Sequence, residues 1–137
     1  MSSAEELSGV LETCVYCSAD ELEATERFYS EVLGLRAVSS WPGSYAYRIG
    51  SGVILLFERE ALAKRQEPIA RHGSAGPAHV CLLARGADDY ERLKDRLAQA
   101  GVEITHEQEW EGRRRSFYFN DPAANLLEIA EADIWPG

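Results

Sequence analysis

SFYFNDPAANLLEIAE, residues 116–131, is the stretch whose reading decides the fold. Phe117 and Phe119 recur at the two-residue period of a strand, with Ser116 and Tyr118 on its other side. Asn120-Asp121-Pro122 is a turn, because Asp accepts from nearby backbone N–H groups and Pro restricts φ. Leu126–Ala130 is then a second strand, apolar except for Glu128. A carboxylate in such a strand is costly to bury unless it is paired, protonated or bound to a metal. Glu128 therefore either meets a basic group at an edge or belongs to a site.

The chain around this stretch has 137 residues, enough for one domain with a real core. Hydrophobic residues make up 45% and charged residues 27%, the balance of an ordinary globular protein and not of a disordered one. No apolar run reaches the roughly 18 residues of a membrane span. The first residues lack the basic-then-apolar order of a signal peptide, so the cytoplasm is the expected location. A net charge of -9 disfavours nucleic acid and anionic membranes. It is compatible with a neutral or cationic small ligand, and equally with solubility alone. Cys14, Cys17 and Cys81 are an odd set, which argues against a disulfide framework. Cys14-Val-Tyr-Cys17 has CxxC spacing, but residues three apart on a strand face opposite sides and do not share a site.

Earlier in the chain the pattern of residues 77–131 is already present. Residues 10–19 read as a strand, with Glu12, Cys14 and Tyr16 on one face and Thr13, Val15 and Cys17 on the other. Asp20 with Glu23 marks a helix start, and Leu22, Thr25, Phe28, Tyr29, Val32 and Leu33 follow helical period up to Gly34. Residues 35–41, 45–49 and 53–57 are three strands. A polar connector, 59–76, holds a short helix near Ala61–Gln66, as well as Pro68 and His72. The second half repeats the order: strand 78–84, a helix opened by Asp88 with Glu91 and stopped by Gly101, and strands 102–110, 115–119 and 125–130. The expectation is one domain over residues 1–137, built of module 10–58 and module 77–131. Counting across each helix lines Cys14 up with His79, and Leu55 with Glu128. One face of each sheet takes its helix. The other lines a cleft through Glu12, Cys14, Tyr16, His79, Cys81, Tyr118 and Glu128.

The βαβββ-βαβββ order, with Glu21–Leu35, Gly76-Pro-Ala-His-Val80 and Asn120–Ile129, resembles the vicinal oxygen chelate superfamily of glyoxalases, bleomycin-resistance proteins and extradiol dioxygenases. The resemblance covers about residues 10–131. It implies an α+β fold in which the paired modules form a curled mixed sheet around a cleft. It implies metal ligands at Cys14, His79 and Glu128, where Cys14 replaces a more usual histidine and Glu12 is an alternative oxygen donor. A fourth glyoxalase ligand falls on Leu55, which cannot bind a metal. The implied cofactor is a divalent ion (Fe, Zn, Mn or Ni), with Tyr118 and Glu128 as catalytic residues, and a homodimer is expected. Glu12, Tyr16, Cys81, Phe57 and Arg115 are the candidate ligand-binding residues. Two functions stay open: a metal-dependent enzyme acting on adjacent oxygens by isomerisation, ring cleavage or addition, and a non-enzymatic protein that sequesters a cationic or aromatic drug.

Overall fold

Alternating apolar residues build two sheets with one strand order. The computed structural model describes residues 6–7, 9–65 and 72–135, so Gln66, Pro68 and most of the first eight residues lie outside the described residues. The first module runs β1 (Glu12–Cys17), a 3-10 turn (Ala19–Glu21), α1 (Leu22–Arg27), a π turn (Phe28–Val32), β2 (Arg36–Trp41), β3 (Ser44–Ile49) and β4 (Gly52–Glu58). A short helix, α2 (Arg59–Ala63), follows. The second module runs β5 (His79–Leu83), α3 (Ala87–Gln99), β6 (His106–Glu109), β7 (Arg115–Asn120) and β8 (Leu126–Ala130). The result is an α+β fold of two four-stranded mixed sheets, ordered β1-β4-β3-β2 and β5-β8-β7-β6. In each, the first strand lies parallel to the last, and the other pairs are antiparallel.

The helix starts are not where the acidic pairs of the sequence put them. The first opens two residues earlier, where the Ser18 N–H donates to Glu21 Oε1 at 2.9 Å, and this bond holds the Glu21 carboxyl below its ordinary range. The second begins after Gly86 with no side-chain cap. Asp88 and Asp89 occupy its first turn, where negative charge suits the helix dipole. Both helices end at glycines in the left-handed region, Gly34 at φ 72° and Gly101 at φ 79°. Of the expected strand 102–110 only His106–Glu109 pairs. Val102 and Ile104 pack on the core instead.

One core serves both modules. Val15, Cys17, Tyr47, Ile54 and Leu56 from the first sheet join Phe117, Phe119, Leu127 and Ile129 from the second, together with Phe28, Tyr29, Tyr90 and Leu97 of the helical segments. The Phe28 and Phe119 rings meet at 6.1 Å across the joint. Each such side chain stabilises the fold by about 1.5–3 kcal/mol. The Asn120-Asp121-Pro122 turn closes this joint. Asp121 accepts from the Tyr29 hydroxyl at 2.9 Å, the Ala123 and Asn125 N–H groups, and Asn125 Nδ2 at 2.8 Å. Asn125 Nδ2 also donates to the Tyr16 carbonyl at 3.1 Å, while its Oδ1 accepts from the Ala78 N–H at 2.9 Å. The helix-side faces of both sheets are thus spent on a shared interior, and the opposite faces turn away from it.

Candidate functional site

The face of the second sheet opposite the core carries a row of polar side chains. Strand alternation that sends Val80, Leu82, Phe117, Phe119, Leu127 and Ile129 inward sends His79, Cys81, Tyr118 and Glu128 to the other side. Register sets Glu128 between Cys81 on β5 and Tyr118 on β7, with His106 on β6 opposite Tyr118. The imidazole of His79 reaches the same carboxylate, with Nε2 at 3.2 Å from Glu128 Oε1. Tyr118 is flanked by two imidazole rings, His79 at 6.3 Å and His106 at 6.0 Å.

His79 is oriented by its own strand neighbour. Its Nδ1 lies 2.9 Å from the Leu126 carbonyl oxygen, which can only accept, so Nδ1 carries a hydrogen. In the neutral ring Nε2 then presents a lone pair to the Glu128 carboxylate. Two acceptors facing each other at 3.2 Å need positive charge between them, either a proton or a cation. Glu128 is 5% exposed, and its Oε2 is buried without a hydrogen-bond partner. A backbone-locked imidazole beside a buried, half-satisfied carboxylate could supply two donors to a divalent ion. Burial first, and then the Glu128 charge, push the Cys81 thiol up to about 12. Burial and Glu128 also raise the Tyr118 phenol. Both groups therefore keep their protons at neutral pH.

The corresponding face of the first sheet is different. Glu12 is exposed at the start of β1, Cys14 is half-buried, and desolvation raises its thiol. Tyr16 and Phe57 are 8% and 6% exposed, covered by Leu62 of α2 and by His72. Register corrects the expected equivalence of Cys14 with His79. Glu12 stands 22 residues before Gly34, and His79 stands 22 before Gly101. Cys14 pairs with Leu55 as Cys81 pairs with Glu128. The counterpart of His79 is therefore Glu12, that of Cys14 is Cys81, and Leu55 indeed matches Glu128.

Among the described residues no three His, Cys, Asp or Glu side chains come together as a metal-holding group. His79 and Glu128 form a pair, and neither Cys14 nor Glu12 joins them within one chain. Arg115 lies on the helix side of β7. Its guanidinium is taken up by Glu131 at 3.1 Å and Glu91 at 2.6 Å, over the Tyr90 ring at 4.4 Å. It is therefore committed to structure on the face opposite Glu128. His106 was missed from sequence. Its only signal was a histidine on the strand paired with Tyr118, a pairing that the sequence does not reveal. The surface hollows of about 400 Å³ beside Glu23, Glu26 and Tyr45 and of about 370 Å³ beside Gly101, Thr105 and Pro122 both lie away from the His79–Glu128 pair.

Comparison with known proteins assigns the family. Residues 14–129 match the model of the Glyoxalase/Bleomycin resistance protein/Dioxygenase superfamily, and the chain belongs to it. A crystal structure of a lactoylglutathione lyase from Agrobacterium tumefaciens is similar at 31% identity and TM-score 0.87, over 96% of this chain and 98% of that one. A virulence protein of Salmonella typhimurium is 29% identical over 118 residues, 83% of this chain and 78% of the relative. A glyoxalase-related enzyme from Fulvimarina pelagi shares the fold at 24% identity and TM-score 0.70, over 95% of this chain and 92% of that one.

Proposed function

We propose that this chain is a metal-dependent enzyme acting on a small molecule with two adjacent oxygens, and that it works as a homodimer. His79 and Glu128 of one copy and Glu12 of the other hold a divalent ion. The observation that carries this reading is the approach of His79 Nε2 to Glu128 Oε1 at 3.2 Å, with Glu128 Oε2 buried and unpartnered beside them. Glu12 is the third donor because it is the register counterpart of His79, lies exposed, and joins no group of three metal-ligating side chains among the described residues of its own chain. One imidazole and two carboxylates suit Mn, Fe, Ni or Zn, and Leu55 leaves the site a donor short of four.

An ion held there supplies Lewis acidity to the two oxygens. The remaining chemistry belongs to the chain. The Leu126 carbonyl keeps the His79 ring in one orientation. Tyr118 Oη, raised by burial and by Glu128, holds a proton that it can give to a developing oxyanion. The reaction class is isomerisation, ring cleavage or addition, and the likeness to a lactoylglutathione lyase favours the first.

The test is subunit complementation. Glu12→Ala and His79→Ala homodimers should each bind Mn²⁺ at least about a hundredfold more weakly than the parent protein. Mixed and refolded together, they should recover roughly a quarter of the native sites, since each mixed dimer keeps one intact set. Recovery of none, with both variants dimeric, would overturn the shared site. A second reading, sequestration of a cationic or aromatic drug without catalysis, draws support from the net charge of -9 and from exposed Trp41. Metal-free protein that binds such drugs as tightly as the loaded protein would favour it.

A further inference from the structure

The first sheet holds a small apolar cluster apart from the shared core. Tyr16, Phe57 and Leu62 form it, with Cys14 and Leu55 against them, on the sheet face away from the interior. The Tyr16 and Phe57 rings stack at 6.1 Å. Against this pair sits an imidazole that the fold of neither module requires. His72 comes from the connector, is exposed, and lies edge-on to Phe57 with centroids 4.8 Å apart and planes at 86°. Its Nδ1 is 2.6 Å from the Tyr16 hydroxyl, a short hydrogen bond. Arg59 fastens the backbone just beyond it, from Nε to the Ser74 carbonyl at 3.3 Å and from Nη2 to the Gly76 carbonyl at 3.5 Å. Among the described residues the second module has nothing comparable. The counterpart of Tyr16 there is Leu83, which is 71% exposed.

An aromatic wall, an apolar floor and one hydroxyl at the rim make a receptor for a flat ring with one hydrogen-bonding nitrogen. His72 is such a ring. We propose that Tyr16, Phe57 and Leu62 are a binding subsite for a planar nitrogen heteroaromatic ring bearing an in-plane lone pair, and that His72 fills it until a ligand takes its place. The ligand's ring lies edge-on to Phe57, and its nitrogen accepts from Tyr16 Oη at the position where His72 Nδ1 stands, 2.6 Å from that hydroxyl. The subsite stands within one chain and needs no metal, so it goes beyond the proposed catalytic function.

The test removes the internal occupant and offers it back. His72→Ala protein, dialysed against chelator so that no metal competes, is titrated with imidazole while the Tyr16 and Phe57 ring signals are followed by NMR. Saturable binding is expected with a dissociation constant on the order of 1–10 mM, the range open to so small a ligand. The parent protein should bind at least about tenfold more weakly, because His72 competes. Tyr16→Phe in the His72→Ala background should weaken imidazole about fivefold through loss of one hydrogen bond. Pyrrole, the same ring without an in-plane lone pair, should bind no better to Tyr16-containing protein than to the Tyr16→Phe variant. Equal imidazole affinity in His72→Ala and parent protein overturns the subsite, and equal affinity with and without the Tyr16 hydroxyl overturns the assigned contact. Mn²⁺ titration of the same His72→Ala protein reads the His79–Glu128 centre separately, so either idea can fail while the other survives.

Discussion

The outer face of β1 carries Glu12, Cys14 and Tyr16, and the matching face of β5 carries His79, Cys81 and Leu83. Strand order, register and helix-ending glycine are common to both modules, yet the two faces have diverged in opposite directions. The first is apolar around Leu55 and roofed by Leu62 and His72. The second is polar around Glu128 and open. The difference follows from what the chain does after its last strand. Beyond β4 it turns back as α2, with the Glu58 carboxylate capping the helix, and the connector lays His72 over the sheet. Beyond β8 the Glu131 side chain turns to Arg115 instead, and among the described residues nothing comparable covers Leu83, which is 71% exposed. The architecture is therefore duplicated, and the chemistry is not.

Four substitutions press on this contrast. If the modules are halves of one cooperative unit, cutting the joint should cost the most. Asp121→Ala leaves the Tyr29 hydroxyl and the Asn125 amide without their buried acceptor, and should lower stability by about 3–5 kcal/mol in urea denaturation. A loss under about 1 kcal/mol, or two separate transitions, would show the modules unfolding independently.

The second substitution concerns the ion pair found only in the second module. Arg115 holds the Glu131 carboxyl below its ordinary value of 4.5. A depressed carboxyl contributes stability above its unfolded pKa and loses that contribution as pH falls through its folded pKa. Glu131→Gln should therefore be about 1 kcal/mol less stable than the parent near pH 7, and the gap should close as pH drops below about 4. A gap that is constant across that range would mean the pair contributes packing and not charge. Mn²⁺ affinity should be unchanged, since Arg115 faces away from Glu128.

The smallest expected effect compares the two helix stops. Gly34→Ala and Gly101→Ala both force a side chain into the left-handed region, at about 1–2 kcal/mol each. A Cβ on Gly34 also comes within 3.3 Å of Arg96 Nη1, whereas one on Gly101 meets nothing within 4 Å. Thermal melts should place Gly34→Ala lower, by a few tenths of a kcal/mol (about 0.5 or less). The reverse order would mean that the second helix end is the tighter one.

The fold was legible in the sequence because its signals are local. Period-two runs such as Phe117–Phe119 and Val15–Cys17 marked the strands, the Asp-Pro turn marked the last hairpin, and Gly34 and Gly101 marked the helix ends. The face assignments of Glu12, Cys14 and Tyr16, and of Phe117 against Tyr118, were legible for the same reason. The match of Cys14 to His79 was off by two residues. Alternation is blind to a slip of two, which leaves every side chain on its proper face. Arg115 and Tyr118 were separable by alternation, but no local pattern announces that Glu131 and Glu91 converge on the arginine. His72 read as part of a solvated connector, because its contact with Tyr16 spans 56 residues. Whether the two ligand faces meet in one chain depends on which faces the modules bury together. That choice is made by Asp121, Asn125 and the Phe28–Phe119 contact, at a distance from the ligands themselves.

The parallel pairing of first strand with last sets a timetable for assembly. His79 gains its orienting partner, the Leu126 carbonyl, only when a strand 47 residues further on has been added. The antiparallel neighbours β6, β7 and β8 can zip by short turns well before that closure. The imidazole and the carboxylate of this centre are therefore brought together by the most sequence-distant strand pairing of their module. A nascent chain halted before Leu126 presents β5 with an unpaired edge and His79 without its anchor.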